Sequence, residues 1–255
     1  MTKISEETIP GDVSPEMSEF DRQYKEERIR LETAHDNYLN AVGNDENRCT
    51  PDHVALARRL WKAAGESDYP SIPGIVDAVT VPEGRSLLVR ECRETSFGDE
   101  SELYVMDSDG QKHETIFDYL GVDDTPMGAW QAYLLHQLWH CLPLWWHSNY
   151  ARRVCVCSKE DLAATTLGKA RRSWRTRHMM WRQGSSYHSL DLNTLDLAPE
   201  ILSWNDKYYV SCCFWSEFGG LIREYAELSI SDGRMEELLV FAEKTLFKYN
   251  CGIIY

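Results

Sequence analysis

The chain has 255 residues, of which 43% are hydrophobic and 11% aromatic, enough to bury a large core without disulfide help. Its formal charge of −14, from 41 acidic against 27 basic residues, opposes nonspecific attraction of the whole molecule to nucleic acid or anionic lipid. No uninterrupted apolar run reaches membrane-spanning length, and the polar opening MTKISEETIPGDVSPE has no apolar h-region, so a soluble cytoplasmic protein is expected, with no membrane partner.

Residues 1–14 read as a loose leader, followed by one α+β domain over 15–255. That domain divides into a helical part, 15–66, and a sheet-containing part, 75–255. Ser14-Pro15 supplies an N-cap and a first-turn proline. Phe20, Tyr24, Leu31, Tyr38 and Val42 then recur at four- and seven-residue spacings, predicting a long charged helix with a narrow apolar stripe. Thr50-Pro51 opens a second helix carrying Val54, Leu56, Leu60 and Trp61, and Gly65 is its stop.

After SDYPSIPG the character changes. SLLVREC and ELYVM are short branched or aromatic runs that read as strands, and DSDG (107–110) is a hairpin turn; as a calcium loop its glycine stands too early and the closing glutamate is missing. Thr125-Pro126 opens a central His/Trp-rich helix. RRVCVC alternates as a strand with one small face, and SKED (158–161) is a capping box for the next helix. Residues 184–205 are turn-rich with one short helical piece. YYVSCCFW is apolar on both faces, as a central strand would be, and LIREYAELSI alternates after a Phe218-Gly219-Gly220 bend. An amphipathic helix is expected over Met235 to Tyr249. Helices that bracket and interrupt a mainly antiparallel sheet make the fold class α+β.

Three places hold candidate chemistry. On the central helix His136, His140 and His147 fall on one stripe, and the four-residue spacing of His136 and His140 suits two ligands to one metal ion. A zincin would place glutamate after the first histidine, where Gln137 stands, so core histidines are the simpler reading and no cofactor is required. The second place is the acid-free basic segment GKARRSWRTRHMMWRQG. If helical, it sets Arg171, Arg175, His178 and Arg182 on one stripe beside Trp174 and Trp181. Forked arginine donors beside stacking indoles suit an acidic protein surface or a short anionic, phosphate-bearing ligand. The third is Glu224, on an otherwise apolar strand face, which requires a buried partner such as an arginine from that basic segment.

The eight cysteines are expected as thiols, because the chain is long and most of them sit in apolar runs; vicinal Cys212 and Cys213 point to opposite faces of a strand. No nucleotide-binding glycine motif, nucleophile elbow or CxxC pair occurs. With no catalytic residue singled out, the expected role is an acidic interaction protein that recognises a protein partner, as an inhibitor, immunity protein or regulatory subunit does. The alternative is an enzyme or ligand-binding domain acting on a phosphate-bearing small molecule or nucleic acid through the Arg/Trp-rich helix.

Overall fold

A computed structural model describes residues 19–44, 50–65, 86–95, 98–106, 112–113, 121–141, 153–172 and 194–249. Helix α1 (Glu19–Asn44) and helix α2 (Pro51–Gly65) come first, followed by strands β1 (Ser86–Thr95), β2 (Gly98–Met106) and β3 (Lys112–His113). Next are α3 (Pro126–Cys141), β4 (Val154–Val156), α4 (Lys159–Ala164) and α5 (Thr166–Arg172). The described chain closes with β5 (Glu200–Trp204), β6 (Lys207–Ser216), β7 (Gly220–Ser231) and β8 (Arg234–Phe247). The class is α+β, as expected.

Strands β1, β2 and β3 form a small antiparallel sheet in that order; DSDG, expected as a hairpin turn, lies outside the described residues. The larger sheet has five antiparallel strands. Strand β6 is its centre: β5 and β4 lie end to end along one edge of β6, while β7 and then β8 follow on the other.

Both faces of this sheet are covered, which is why YYVSCCFW reads as apolar throughout. Alternate side chains point to opposite faces. Tyr208, Val210, Cys212 and Phe214 of β6, with Ala226, Leu228 and Ile230 of β7, pack against Leu60 and Trp61 of α2 and Trp130 and Tyr133 of α3. On the other face, Tyr209, Leu202 and Phe241 receive Leu31, Ala34, Tyr38 and Ala41 of α1. Trp215 and Phe247 on that face meet Leu162 of α4 and Leu167 of α5. The result is three layers, with helices on either side of an antiparallel sheet.

The helix starts follow the capping residues. The Thr50 carbonyl accepts from the His53 and Val54 amides, and His53 Nδ1 accepts in return from the Thr50 amide at 3.1 Å, so His53 takes the part that Glu plays in a capping box. Ser158 caps α4 by accepting from the Glu160 and Asp161 amides. Asp161 Oδ2 accepts from the Cys157 amide at 3.1 Å, one residue before the cap.

Two expectations are corrected. Residues 200–204 form strand β5, within the stretch expected to be turns and a short helical piece. They pair with β6 through Asn205 and Asp206, whose positive φ values of 49° and 58° suit a two-residue hairpin. The expected C-terminal helix is instead β8, a strand of 14 residues. Its register against β7 slips at three places, after Leu221, Tyr225 and Ser229. Each extra residue in β8 turns a spacing of two into three. Met235, Leu238, Leu239, Ala242 and Leu246 therefore recur at helical intervals although the chain is extended. Asp232 and Gly233, at φ of 50° and 72°, make the β7–β8 turn, and space around Gly233 is open. Gly233→Ala should therefore cost only the left-handed strain, about 1 kcal/mol, seen as a lower urea midpoint with an unchanged slope.

Candidate functional site

The face of the sheet beneath α3 holds two polar clusters within an apolar layer. Cys212 of β6 and Glu224 of β7 stand directly opposite each other in register and point to that face. The alternation of β7 put Glu224 among Ile222 and Ala226, and it is only 2% exposed. A carboxylate so placed requires donors. Glu224 Oε1 accepts from the Tyr133 hydroxyl at 2.8 Å and from Gln137 Nε2, and Oε2 accepts from Arg153 Nη1 at 2.8 Å. Tyr133 and Gln137 are one helical turn apart on α3, so one helix face delivers both donors. Arg153, just ahead of β4, also donates to Glu243 of β8 at 3.0 Å.

Burial pushes the Glu224 carboxyl above the ordinary carboxylate range, against the hydrogen bond from Tyr133 and the charge of Arg153. Burial first and Glu224 second push the Tyr133 phenol well above its ordinary value, so it stays protonated and donates. The cluster ties α3, β4, β7 and β8 together. The partner foreseen for Glu224, an arginine of the basic segment, is corrected to Arg153, which register rather than spacing brings there.

The opposite face carries its own pairs. Glu227 takes Lys207 Nζ and the Tyr209 hydroxyl. Arg223 donates to Ser211 Oγ at 2.6 Å and to the carbonyls of Asp196 and Ala198 at 3.2 and 2.9 Å. Arg223, Tyr225, Glu227 and Ser229 do share one face, but α1 and the 195–198 segment bury part of it, so these charges serve the fold.

The second cluster was not foreseen. Cys155 and Cys157 leave the end of β4 on one side, and Cys212 comes from the neighbouring strand β6, where Cys155 pairs with Phe214 two residues away. The Cys155 sulfur lies 3.4 Å from that of Cys157 and 3.4 Å from that of Cys212, and all three sulfurs fall within 4.8 Å of one another. All three residues are buried free thiols. Hydrogen bonds from Cys155 and Cys212 hold the Cys157 thiol below its ordinary pKa, whereas burial and its neighbours push Cys212 up. Cys213 faces away into the layer under α4 and α5, as expected for a vicinal residue in a strand.

Arg58 of α2 stands beside this cluster. Its Nε donates to Asp161 Oδ1 at 2.7 Å and its Nη2 to Ser158 Oγ at 2.7 Å. Asp161 in turn accepts from the amide of Cys157. The backbone of one thiol is thus fixed by a carboxylate that an arginine holds in place. The Cys-Val-Cys spacing was visible in the sequence, but only strand pairing brings the third sulfur to it.

The earlier candidates are placed only in part. His136 is half-buried on α3; the side chain of His140 lies outside the described residues, as does His147. Arg171 falls in α5, whereas Trp174, Arg175, His178, Trp181 and Arg182 lie outside the described residues. Among the described residues, no helix is long and apolar enough to cross a membrane. Comparison of the chain with family models, with curated proteins and with solved structures gives no match, so the residues themselves carry the functional argument.

Proposed function

We propose that this chain is an acidic, non-catalytic interaction protein of the inhibitor, immunity or regulatory-subunit kind, working in the cytoplasm, and that the first three turns of α1 meet its protein partner. One observation carries the reading. The stripe of α1 runs Phe20, Tyr24, Leu31, Ala34, Tyr38, Ala41. From Leu31 onward it seats on the sheet, but residues 19–30 are all exposed, with Phe20 at 75% and Tyr24 at 67%. The same apolar seam continues past the surface it packs on.

A helix that presents apolar side chains four residues apart is the form in which helices enter a partner's apolar groove. The flanking charges favour the helix itself. Arg22 pairs with Glu19 at 2.6 Å and Arg28 with Glu32 at 2.8 Å, while Arg30 reaches Glu237 of β8 and braces the helix against the sheet edge. The buried charges Glu224, Glu227 and Arg223 are each engaged inside the protein, which fits a role in the fold and not in chemistry. Phosphate recognition by Arg171, Arg175 and Arg182 rests on a segment of which Arg175 and Arg182 lie outside the described residues.

The test is a photo-crosslinking side chain at position 24, followed by affinity measurement with the protein it captures. Phe20→Ala/Tyr24→Ala should weaken that complex at least about tenfold, or 1.4 kcal/mol, and leave the melting temperature unchanged because both side chains are exposed. Diffuse crosslinking, an unchanged affinity or a lowered melting temperature would each sink the reading.

A further inference from the structure

We propose that Cys155, Cys157 and Cys212 together bind one soft, closed-shell metal cation, Zn(II) or Cu(I), through their three sulfurs. This site is independent of the partner surface on α1. The juxtaposition is specific: two sulfurs project from one side of the chain at the end of β4, and a third comes from the adjacent central strand on the same face.

The distances suit a metal. Sulfurs about 2.3 Å from a tetrahedral zinc ion lie roughly 3.8 Å apart. Here two of the separations are 3.4 Å and none exceeds 4.8 Å, a range that brackets the spacing of sulfurs around one ion. An all-sulfur donor set selects thiophilic ions and rejects magnesium and calcium, which require oxygen ligands. Binding forms three metal–sulfur bonds and releases the thiol protons to solvent.

The surroundings hold the set in place. Trp61, Tyr133 and Phe214 belong to the same buried layer as the three cysteines. The Cys157 amide is held by Asp161, and Asp161 by Arg58, so the turn between β4 and α4 keeps its sulfur aimed inward. That is the kind of outer support metal ligands have, since it orients a donor without occupying its lone pairs. Cys213 supplies the contrast. It is equally buried, but its sulfur faces the opposite layer and, among the described residues, meets no second thiol there.

The experiment uses the full chain, untagged and reduced. It is titrated in separate arms with Co(II) and Zn(II), and with Cu(I) against a competing chelator. One equivalent should bind, with sulfur-to-cobalt charge-transfer bands in the near ultraviolet. X-ray absorption of the loaded protein should give a shell of sulfur neighbours. Retention of zinc against chelator identifies the divalent ion, and preferential retention of copper the monovalent one. Cys155→Ala, Cys157→Ala and Cys212→Ala should each lose the equivalent, and Cys213→Ala should keep it. Circular dichroism on every variant separates loss of metal from loss of fold, and the absorption spectrum of the unaltered protein stands apart from all of them. No stoichiometric binding by the unaltered chain, a nitrogen or oxygen shell in place of sulfur, or metal kept by a folded Cys212→Ala protein would each overturn the site.

Discussion

Arg153→Ala should destabilise the protein by about 2–4 kcal/mol at neutral pH, because it leaves the Glu224 carboxylate buried without its counter-charge. Breaking a fully buried pair costs about 3–5 kcal/mol; the lower figure applies here because Tyr133 and Gln137 go on donating and Arg153 is itself partly exposed. The pH dependence separates this cause from simple loss of packing. Burial already raises the Glu224 pKa in the folded state. A carboxyl with a raised folded pKa favours folding below the unfolded value and loses that contribution as pH rises through the folded one. Removing Arg153 raises the folded value further and widens that window. The deficit of the variant should therefore be largest above neutrality and shrink on acidification, as Glu224 takes up a proton. Urea denaturation of both proteins across the acidic and neutral range checks it. A deficit independent of pH would mean that Arg153 acts only through its contacts. Glu224→Gln/Arg153→Ala should recover part of the loss, since the buried charge is then gone.

Trp130→Ala should cost about 3–5 kcal/mol, the range for deleting a large buried aromatic side chain. Trp130 is fully buried, and its ring stacks on Tyr133 at 5.8 Å with the planes 21° apart. Its Nε1 donates to the carbonyl of His53 at 2.8 Å, which joins α3 to the first turn of α2. Losing it leaves a cavity and a loosened Tyr133, the donor on which Glu224 depends. Trp130→Phe keeps an aromatic ring in the layer but removes the hydrogen bond and part of the packed volume, so a smaller loss of about 1–3 kcal/mol is expected. Chemical denaturation of the pair gives both figures. Equal losses for Phe and Ala would assign the whole effect to the hydrogen bond and contradict the packing argument.

Local signals read correctly wherever they depended on neighbouring residues. Thr50-Pro51 and Gly65 bound α2 as expected, Ser158 caps α4, and the uninterrupted apolar run of β6 marks the strand at the centre of the sheet. Failures came where pairing reshaped the pattern. Three irregularities in β8 made a strand look helical, and β5 is a short run whose place depends on the hairpin at Asn205 and Asp206. For Glu224, burial and the need for a partner were legible from alternation, but Arg153 was not, because nothing local links it to β7.

The sequence by itself determined the α+β class, the starts of α2, α3 and α4 and the identity of the central strand of the larger sheet, because those follow from capping, periodicity and side-chain alternation within a few residues. Only the tertiary structure decided that Cys212 joins Cys155 and Cys157, and that Arg153 reaches Glu224. Both meetings depend on register between segments far apart in the chain, and register is set by how the whole sheet and its two helical layers pack.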